Sequence, residues 1–324
     1  MLAVATAAPN CSFLRGFSNG VPVSTSRANR RGMFALTGAM AAFAINDMVM
    51  KLSAQRYPLG EVITVRGAIA TLLVGTVMLA LGQISALRFI RPLVLARTMF
   101  DGLAMVLFTT ALIHMPLAEL SAINLVSPLL ITAAAVIFFH EEVGWRRWTA
   151  IAIGFLGTLL IIKPTPGAFN AWALLGVATA FASVARDMIT RLVDPRIPSI
   201  MVSFLAAFGS MMIGPVMGLS ERWPPMAAAD VAMLAISAVS IATGHMLVVT
   251  AFRGSADVAA IAPFRYTLLI FAGVCGYLGF GEVPDRFAIF GSVLIVGSGL
   301  YALHREVVRR RAVAGSVPPA EPGV

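Results

Sequence analysis

The sequence has few charged residues and almost no cysteine. Only 12% of its 324 residues are charged and 59% are hydrophobic, whereas a soluble domain carries about 25% charged residues. A soluble core could not bury so many apolar side chains, so we expect lipid to be the solvent for most of them. Cys11 lies in a polar segment and Cys275 in an apolar run, which excludes a disulfide framework.

Common enzyme motifs are also missing. The phosphate-binding pattern Gly-x-x-x-x-Gly-Lys does not occur, which excludes an internal ATPase motor of that type. The segment His140-Glu141-Glu142 lacks the second His at metalloprotease spacing, so no metal or other cofactor is expected. The net charge of +9 does not indicate nucleic-acid binding, because the arginines lie at the ends of apolar runs.

Long apolar runs make up most of the chain. Each is about 20 residues long, enough for a helix to cross roughly 30 Å of hydrocarbon. Because the runs are continuous and do not alternate with period two, they exclude a β-barrel. The predicted fold class is an all-α integral membrane protein whose ten transmembrane helices cover residues 33–52, 61–82, 92–113, 118–139, 147–164, 170–190, 200–219, 229–251, 257–280 and 286–304.

The two ends of the chain are polar and basic. Residues 1–32 are predicted to be a disordered tail, and residues 305–324 a basic cytoplasmic tail. If the N-terminus is inside, fifteen of the 24 Lys and Arg residues lie in inside segments and five in outside segments. The positive-inside rule then places both termini in the cytoplasm of a cell whose plasma or inner membrane holds the protein.

An internal repeat appears when the sequence is compared with itself at an offset of 140 residues. The coinciding residues include charged ones: Asp47 and Asp187, Glu142 and Glu282, Arg146 and Arg286. Composition alone could make two apolar halves look alike, but charged residues are rare here and still coincide. We predict two five-helix repeats, 33–164 and 170–304. Because five is odd, the second enters the membrane from the opposite side, an arrangement typical of secondary transporters.

Both halves share a further pattern. Each has a proline in its fourth helix, an acidic turn after that helix and a glycine-rich fifth helix; the residues are Pro128, Glu142, Gly154 and Gly157, then Pro263, Gly281 and Glu282. The pattern resembles the EamA-type repeat of the drug/metabolite transporter superfamily over nearly all of residues 33–304. The first half departs from it by having His140-Glu141-Glu142 in place of Gly-Glu. The resemblance implies alternating access through a central cavity, with amino acids, nucleotide-related metabolites, vitamins or drugs as substrates.

Charged side chains within the predicted spans are the candidates for function. Each costs at least about 2.5–3.5 kcal/mol by insertion scales, so it is expected to face a cavity or a partner. Depth along the helices separates an outer layer of Asp47, Lys51 and Arg66 from an inner layer of Arg97, Asp101, Arg186, Asp187, His245, Arg265 and Tyr266.

Arg265 is the strongest candidate for substrate binding. Pro263 removes a backbone donor beside it and can open the helix, and the Tyr266 hydroxyl is adjacent. Arg97 and Asp101 are four residues apart; they are either a self-neutralising pair or an anchor for an anionic group. Arg66 completes the charged candidates for substrate contact.

For several other polar residues the sequence allows two alternative roles. His245 is a proton relay or a hydrogen-bonded side chain near a helix end. Arg186 faces inward or extends to the cytoplasmic interface. Asp47 and Asp187, which are repeat-equivalent, suit gates or coupling sites at opposite faces, or helix-end structure. Glu142 and Glu282 are expected to cap the helices that follow them.

The leading hypothesis is a secondary active transporter of a small polar metabolite, vitamin or drug, with a proton or a counter-substrate as the candidate coupling partner. Four intramembrane arginines exceed Asp47, Asp101 and Asp187 by one positive charge, which favours an anionic or zwitterionic substrate. The alternative is an intramembrane enzyme acting on a lipid, with Asp187 and His245 as its reactive groups.

Overall fold

The described part of the chain is helical throughout. A computed structural model describes residues 25–139, 145–163, 170–194, 197–254 and 261–315, and no strand forms within these ranges. The α-helices are α1 Thr25–Ala54, α2 Leu59–Ala80, α3 Pro92–His114, α4 Leu117–Asn124, α5 Ser127–Phe139, α6 Trp145–Ile162, α7 Trp172–Leu192, α8 Ser199–Met217, α9 Ala228–Gly254, α10 Thr267–Phe280 and α11 Arg286–Gly315. Three short 3-10 helices cover Ile84–Phe89, Gly218–Ser220 and Ala262–Tyr266.

The helices have the length and composition that a bilayer requires. Nine stretches of the described chain are long and apolar enough to cross a membrane, and Trp148–Ile162 in α6 is a shorter apolar helix. Large apolar side chains remain on the surface; Leu72 and Leu278, for example, expose 71% and 75% of their area. Such exposure is expected where lipid is the solvent. The predicted all-α membrane fold is therefore confirmed.

Helical structure extends into both predicted tails. Helix α1 begins at Thr25, so residues 25–32 are helical and do not belong to a disordered tail. Helix α11 continues to Gly315, past the predicted boundary at residue 305. A helix can continue beyond the bilayer because its backbone hydrogen bonds are already made, and Arg and Ala favour helix wherever they are solvated.

The fourth and ninth predicted spans contain irregular backbone near their prolines. The fourth is divided at Leu125 and Val126 into α4 and α5, and Pro128 lies in the first turn of α5. Within the described part of the ninth, the 3-10 helix Ala262–Tyr266 contains Pro263 and leads into α10. A proline is tolerated in a first turn because the N–H that it lacks would have no intrahelical acceptor there.

Helices of the two halves of the sequence pack against one another. The extensive contacts join α1 with α9, α3 with α7, α2 with α8 and α6 with α11. At the crossing of α6 and α11 the backbones are so close that a Cβ atom on Gly157 would lie 2.7 Å from the Gly291 oxygen. Only glycine permits this approach, and small residues commonly mark tight helix crossings in membranes.

The main apolar core surrounds the short helix α4. Leu117, Leu120 and Ile123 of α4 are completely buried, and they belong to one cluster with Ile161 of α6 and Ile295 of α11. The first turn of α4 is therefore held firmly at the end of the bundle where Lys51 also lies.

Candidate functional site

Charged side chains from α3, α7 and the 3-10 helix Ala262–Tyr266 meet inside the bundle. We call Arg97, Asp101, Arg186, Asp187 and Arg265 the central charge cluster. The Nη1 atom of Arg186 donates to Asp101 Oδ1 at 2.9 Å, and its Nε atom donates to Asp187 Oδ1 at 2.9 Å. Arg97 Nη1 lies 3.9 Å from Asp101 Oδ2. Arg265 interacts electrostatically with Asp187 and Arg186.

The pairing within this cluster adds to the sequence-based interpretations of Arg186 and Asp101. Arg186 binds Asp101 on the facing helix α3, which favours the interpretation that it faces inward. Asp101 consequently has its close partner on another helix, and the predicted pair with Arg97 is the longer contact. The close packing of α3 and α7 brings these side chains together, and sequence spacing within one helix could not reveal it.

Two arginines of the central charge cluster have guanidinium donors that no described residue accepts. The Nε and Nη1 atoms of Arg97 are buried and have no hydrogen-bond partner within the described residues. Arg265 is an exposed residue that interacts electrostatically with Asp187, and no hydrogen bond of its guanidinium occurs within the described residues. Asp187 is also partly open, with 37% of its side chain exposed. The cluster has three guanidinium groups and two carboxylates, which leaves one positive charge without a partner.

A second polar group connects α1, α2 and α9. Asn46 is buried, and its Oδ1 atom accepts from Arg66 Nη1 at 3.1 Å and from Ser237 Oγ at 2.7 Å. Its Nδ2 atom donates to Asp47 Oδ1 at 2.8 Å. Arg66 interacts electrostatically with both Asp47 and Asp101, and it therefore links this group to the central charge cluster. Sequence reasoning missed Asn46 because the search considered charged and titratable side chains.

His245 and Tyr266 have different surroundings. His245 is exposed, contacts Phe43 edge-on with ring centroids 5.3 Å apart, and interacts electrostatically with Asp101. Tyr266 is buried, and its hydroxyl lies against the backbone of Gly299. Tyr266 also interacts electrostatically with Arg265. Its role in substrate binding stays a prediction.

Another group of charged residues lies at the end of the bundle that contains the Met115–Pro116 turn. We call this end of the bundle the Lys51 end; its charged residues include Lys51, Glu119, Lys163, Glu282 and Asp285. Lys51 is only 4% exposed; its Nζ atom donates to the Met115 carbonyl at 2.7 Å and forms an ion pair with Glu282. Lys163 forms a second ion pair with Asp285.

Glu282 does not have the role that the sequence predicted. Its Oε2 atom accepts from the backbone N–H of Leu117 at 2.8 Å, so it caps α4 from the other half of the chain. The helix that follows, α11, is capped by Asp285, which accepts from the Ala288 N–H at 2.9 Å. Gly281 has a left-handed φ of 67°, which ends α10 and turns the chain back toward α4. Glu142 lies outside the described residues.

Asp285 lies outside the membrane-spanning helices. The hydrogen bond from Lys163 lowers the pKa of the Asp285 carboxyl, and the N–H of Ala288 acts in the same direction.

Two buried glutamates were missed by the sequence analysis. Glu119 is 7% exposed and Glu61 is 5% exposed. Both lie at the first residues of predicted spans, where a charge is easily assigned to the interface. The surplus of one positive charge consequently applies to the central charge cluster and not to the whole interior of the bundle. Within the described residues, no group of three or more His, Cys, Asp or Glu could hold a metal ion.

Known proteins resemble the chain in family and in fold. Residues 30–163 match the EamA-like transporter family. A solved crystal structure, 18% identical in sequence, superimposes with a TM-score of 0.59 and covers 89% of this chain and all of its own.

Relatives of known activity align with most of the chain. The S-adenosylmethionine uptake transporter of Rickettsia prowazekii (strain Madrid E) is 24% identical over 83% of this chain and 90% of its own length. The pseudopaline exporter CntI of Pseudomonas aeruginosa (strain UCBPP-PA14) is 28% identical over 82% and 94%. The riboflavin transporter of Vibrio cholerae serotype O1 (strain ATCC 39315 / El Tor Inaba N16961) is 28% identical over 86% and 94%.

The family and these relatives are transporters, so they overturn the alternative of an intramembrane enzyme. The solved structure also agrees with the fold of this chain. The chain is a multi-pass membrane protein that resembles transporters of small molecules, and its residues 30–163 match the EamA-like transporter family.

Proposed function

We propose that the protein is a secondary active transporter that carries a small anionic or zwitterionic metabolite across the plasma or inner membrane by alternating access. The observation that carries the proposal is the set of unused guanidinium donors in the central charge cluster. Buried polar groups are normally satisfied, yet two donor nitrogens of Arg97 have no hydrogen-bond partner among the described residues, and Arg265 is an exposed residue beside them. A ligand carboxylate or phosphate would supply the missing acceptors.

The balance of charge supports an anionic group on the substrate. The three arginines of the cluster face two aspartates, and Arg186 already uses its donors on both of them. A bound anion would neutralise the remaining positive charge. Asp187 remains partly exposed and could receive an ammonium group of a zwitterion. The substrates named for the relatives fit this class in part, since S-adenosylmethionine carries a carboxylate and an amino group.

The pairing of helices supports two inverted repeats as the moving parts. In the predicted repeat, α1 corresponds to α7, α2 to α8, α3 to α9 and α6 to α11. If each helix is replaced by its counterpart in the other repeat, the contact between α1 and α9 becomes the contact between α7 and α3, which is also observed. The contacts of α2 with α8 and of α6 with α11 each become themselves. This agreement is what a pseudo-two-fold axis in the membrane plane requires. The central charge cluster draws its residues from both repeats, so relative motion of the repeats would change its geometry.

Transport can be tested with purified protein in proteoliposomes. A thermal-shift screen with S-adenosylmethionine, riboflavin and simple amino acids first identifies a compound that stabilises the wild type. Counterflow of that compound in labelled form then measures exchange of the unmodified solute. We expect exchange that saturates with concentration and that Arg265→Ala weakens. Equal exchange by wild type and Arg265→Ala, at matched protein abundance, would overturn the assignment of the site.

The orientation of the bundle is proposed from charge alone and has its own test. A reporter fused after Leu117 should be outside, and one fused after Trp145 should be inside. The opposite result at both positions would reverse the orientation and assign the Lys51 end to the cytoplasm.

A further inference from the structure

The charges at the Lys51 end do not balance. Lys51 is paired with Glu282, and Lys163 is paired with Asp285. Glu119 lies among them, is only 7% exposed, and makes no hydrogen bond or ion pair of its own within the described residues. Two amines therefore face three carboxylates, and Glu119 is the carboxylate left without a partner.

The groups that face Glu119 come from several elements. Lys51 is near the end of α1, Lys163 directly follows α6, and Glu282 and Asp285 lie between α10 and α11; all four interact electrostatically with Glu119. Helix α3, which also packs on α4, contributes His114, whose ring stacks on Trp172 of α7 with centroids 3.7 Å apart. Without Glu119 the four facing charges sum to zero.

An ionised Glu119 would therefore be an uncompensated negative charge in a buried place. Burying an unpaired carboxylate is costly, and such a group normally takes up a proton instead. The carboxylate binds one proton on an oxygen and becomes neutral, with no other bond formed or broken. We call the Lys51 end closed when Glu282 joins Lys51 to the Leu117 N–H, as it does in this structure. This closed arrangement consequently favours the protonated form of Glu119.

The same contacts show what would have to break when this end opens. Glu282 holds Lys51 of the first half and the Leu117 N–H of α4, and Glu119 lies on the same turn as Leu117. Separating these elements would admit water to Glu119 and favour its ionised form. Closing would then take up one proton and opening would release it, so the two equilibria are linked.

We infer that Glu119 is a proton-binding site through which the pH on the Lys51 side sets the balance between the open and closed states of that end. Lower pH favours closure, and higher pH favours opening. The inference rests on the proposed alternating-access function, since it requires that the Lys51 end opens. It assigns a second proton-sensitive position, remote from the central charge cluster and from Asp47 and Asp187.

The test is a distance measurement that needs no substrate. Spin labels are attached to cysteines at Gln55 and Val283, two exposed residues on either side of the Lys51 end, after Cys11 and Cys275 are changed to serine. Distance distributions are recorded for the full chain in nanodiscs across a pH series. In the wild type, the ratio of closed to open populations should rise by up to about tenfold for each unit of pH decrease within the titration range.

Variants identify the group responsible. Glu119→Gln mimics the protonated form, so the closed distance should dominate at every pH. Glu221→Gln is the matched control, because it removes another carboxylate at the same end, one that accepts from the Gly60 N–H instead; its titration should match the wild type. Glu119→Asp keeps a titratable carboxyl and should still respond to pH, which provides a result if the glutamine variant does not fold.

A wild-type-like titration in Glu119→Gln, or a flat one in both the wild type and Glu119→Asp, would overturn the inference. Counterflow measured on the same samples keeps the two claims separate. An intact pH titration without any solute exchange would count against the proposed transport function. Intact exchange with pH-independent distances would count against the role of Glu119 alone.

Discussion

The central charge cluster and the Lys51 end both contain charged side chains within the bundle, but the two regions differ in how many of these side chains are paired. At the Lys51 end, the two amines are each paired with a carboxylate, and Glu282 also caps a helix. In the central charge cluster, Arg97 and Arg265 keep donors that no described protein group accepts. Since lipid cannot satisfy a charge, the paired amines of the Lys51 end indicate a structural role, and the unpaired guanidinium donors of the central charge cluster indicate a place for a ligand. Glu119 is the exception at the Lys51 end, where a proton can neutralise it.

The largest expected effect concerns the Lys51–Glu282 pair. Lys51→Met would leave Glu282 without its ion-pair partner in a largely buried place, and breaking such a pair typically costs about 3–5 kcal/mol of folding free energy. Thermal or denaturant unfolding in detergent would measure this loss. The double variant Lys51→Met/Glu282→Gln should recover part of it, because it removes the unpaired charge. If Lys51→Met were as stable as the wild type, the pair would have no structural role.

Arg265→Ala should weaken substrate binding and leave the folding stability nearly unchanged, the opposite of Lys51→Met. It removes a charge-assisted contact with substrate worth about 1.5–3 kcal/mol, or about 10- to 150-fold in affinity, while the folding stability changes little because the side chain is exposed. Arg265→Lys should restore only part of the affinity, since Lys lacks the planar fork of donors. Arg305→Ala, near the C-terminus, is the control and should bind normally.

Tyr266 and Gly299 provide a contact that should affect packing alone. Gly299→Ala would place a methyl group against the Tyr266 hydroxyl and should cost about 1–3 kcal/mol of stability through overpacking. Tyr266→Phe removes a buried hydroxyl without a described partner, and should be neutral or slightly stabilising. Unfolding measurements on both variants and their combination would reveal the coupling. A large loss of substrate affinity in Tyr266→Phe would show that its hydroxyl contributes to substrate binding.

The smallest effect is the pH dependence contributed by Asp285. Its pKa is lower in the folded protein than in the unfolded chain, mainly because Lys163 donates a hydrogen bond to it. The stabilisation is therefore complete above the ordinary Asp pKa and is lost as the pH falls through the lowered value. Melting temperatures measured from neutral to acidic pH should show a weaker decline in Asp285→Asn than in the wild type. An identical decline in both proteins would mean that this ion pair contributes nothing to stability.

The sequence predicted the fold class well because lipid imposes a simple requirement. A span needs an apolar run of fixed length, and that property can be read without any tertiary contact. The sequence could not locate the break before Pro128 or the first residue of α1, since both depend on how a local helix preference is resolved in three dimensions.

The candidate site was predicted less completely. Charged residues in apolar runs assigned Arg97, Asp101, Arg186 and Arg265 to one inner layer, and the structure brings these four together in the central charge cluster. Their pairing depends on contacts between α3 and α7, which residue spacing along the sequence cannot predict. The sequence could not show that the Tyr266 hydroxyl packs on Gly299, because that contact joins two distant helices. Glu119 was missed because a helix end was assumed to lie in water.

One measurement tests directly whether the central charge cluster, and not the Lys51 end, binds substrate. Counterflow in proteoliposomes is compared for the wild type, Arg265→Ala and Lys51→Met/Glu282→Gln, using the compound that stabilises the wild type in the thermal-shift screen and matched amounts of inserted protein. We predict that the apparent affinity falls by about 10- to 150-fold in Arg265→Ala and stays near the wild-type value in the double variant. Wild-type affinity in Arg265→Ala together with lost affinity in the double variant would contradict the account.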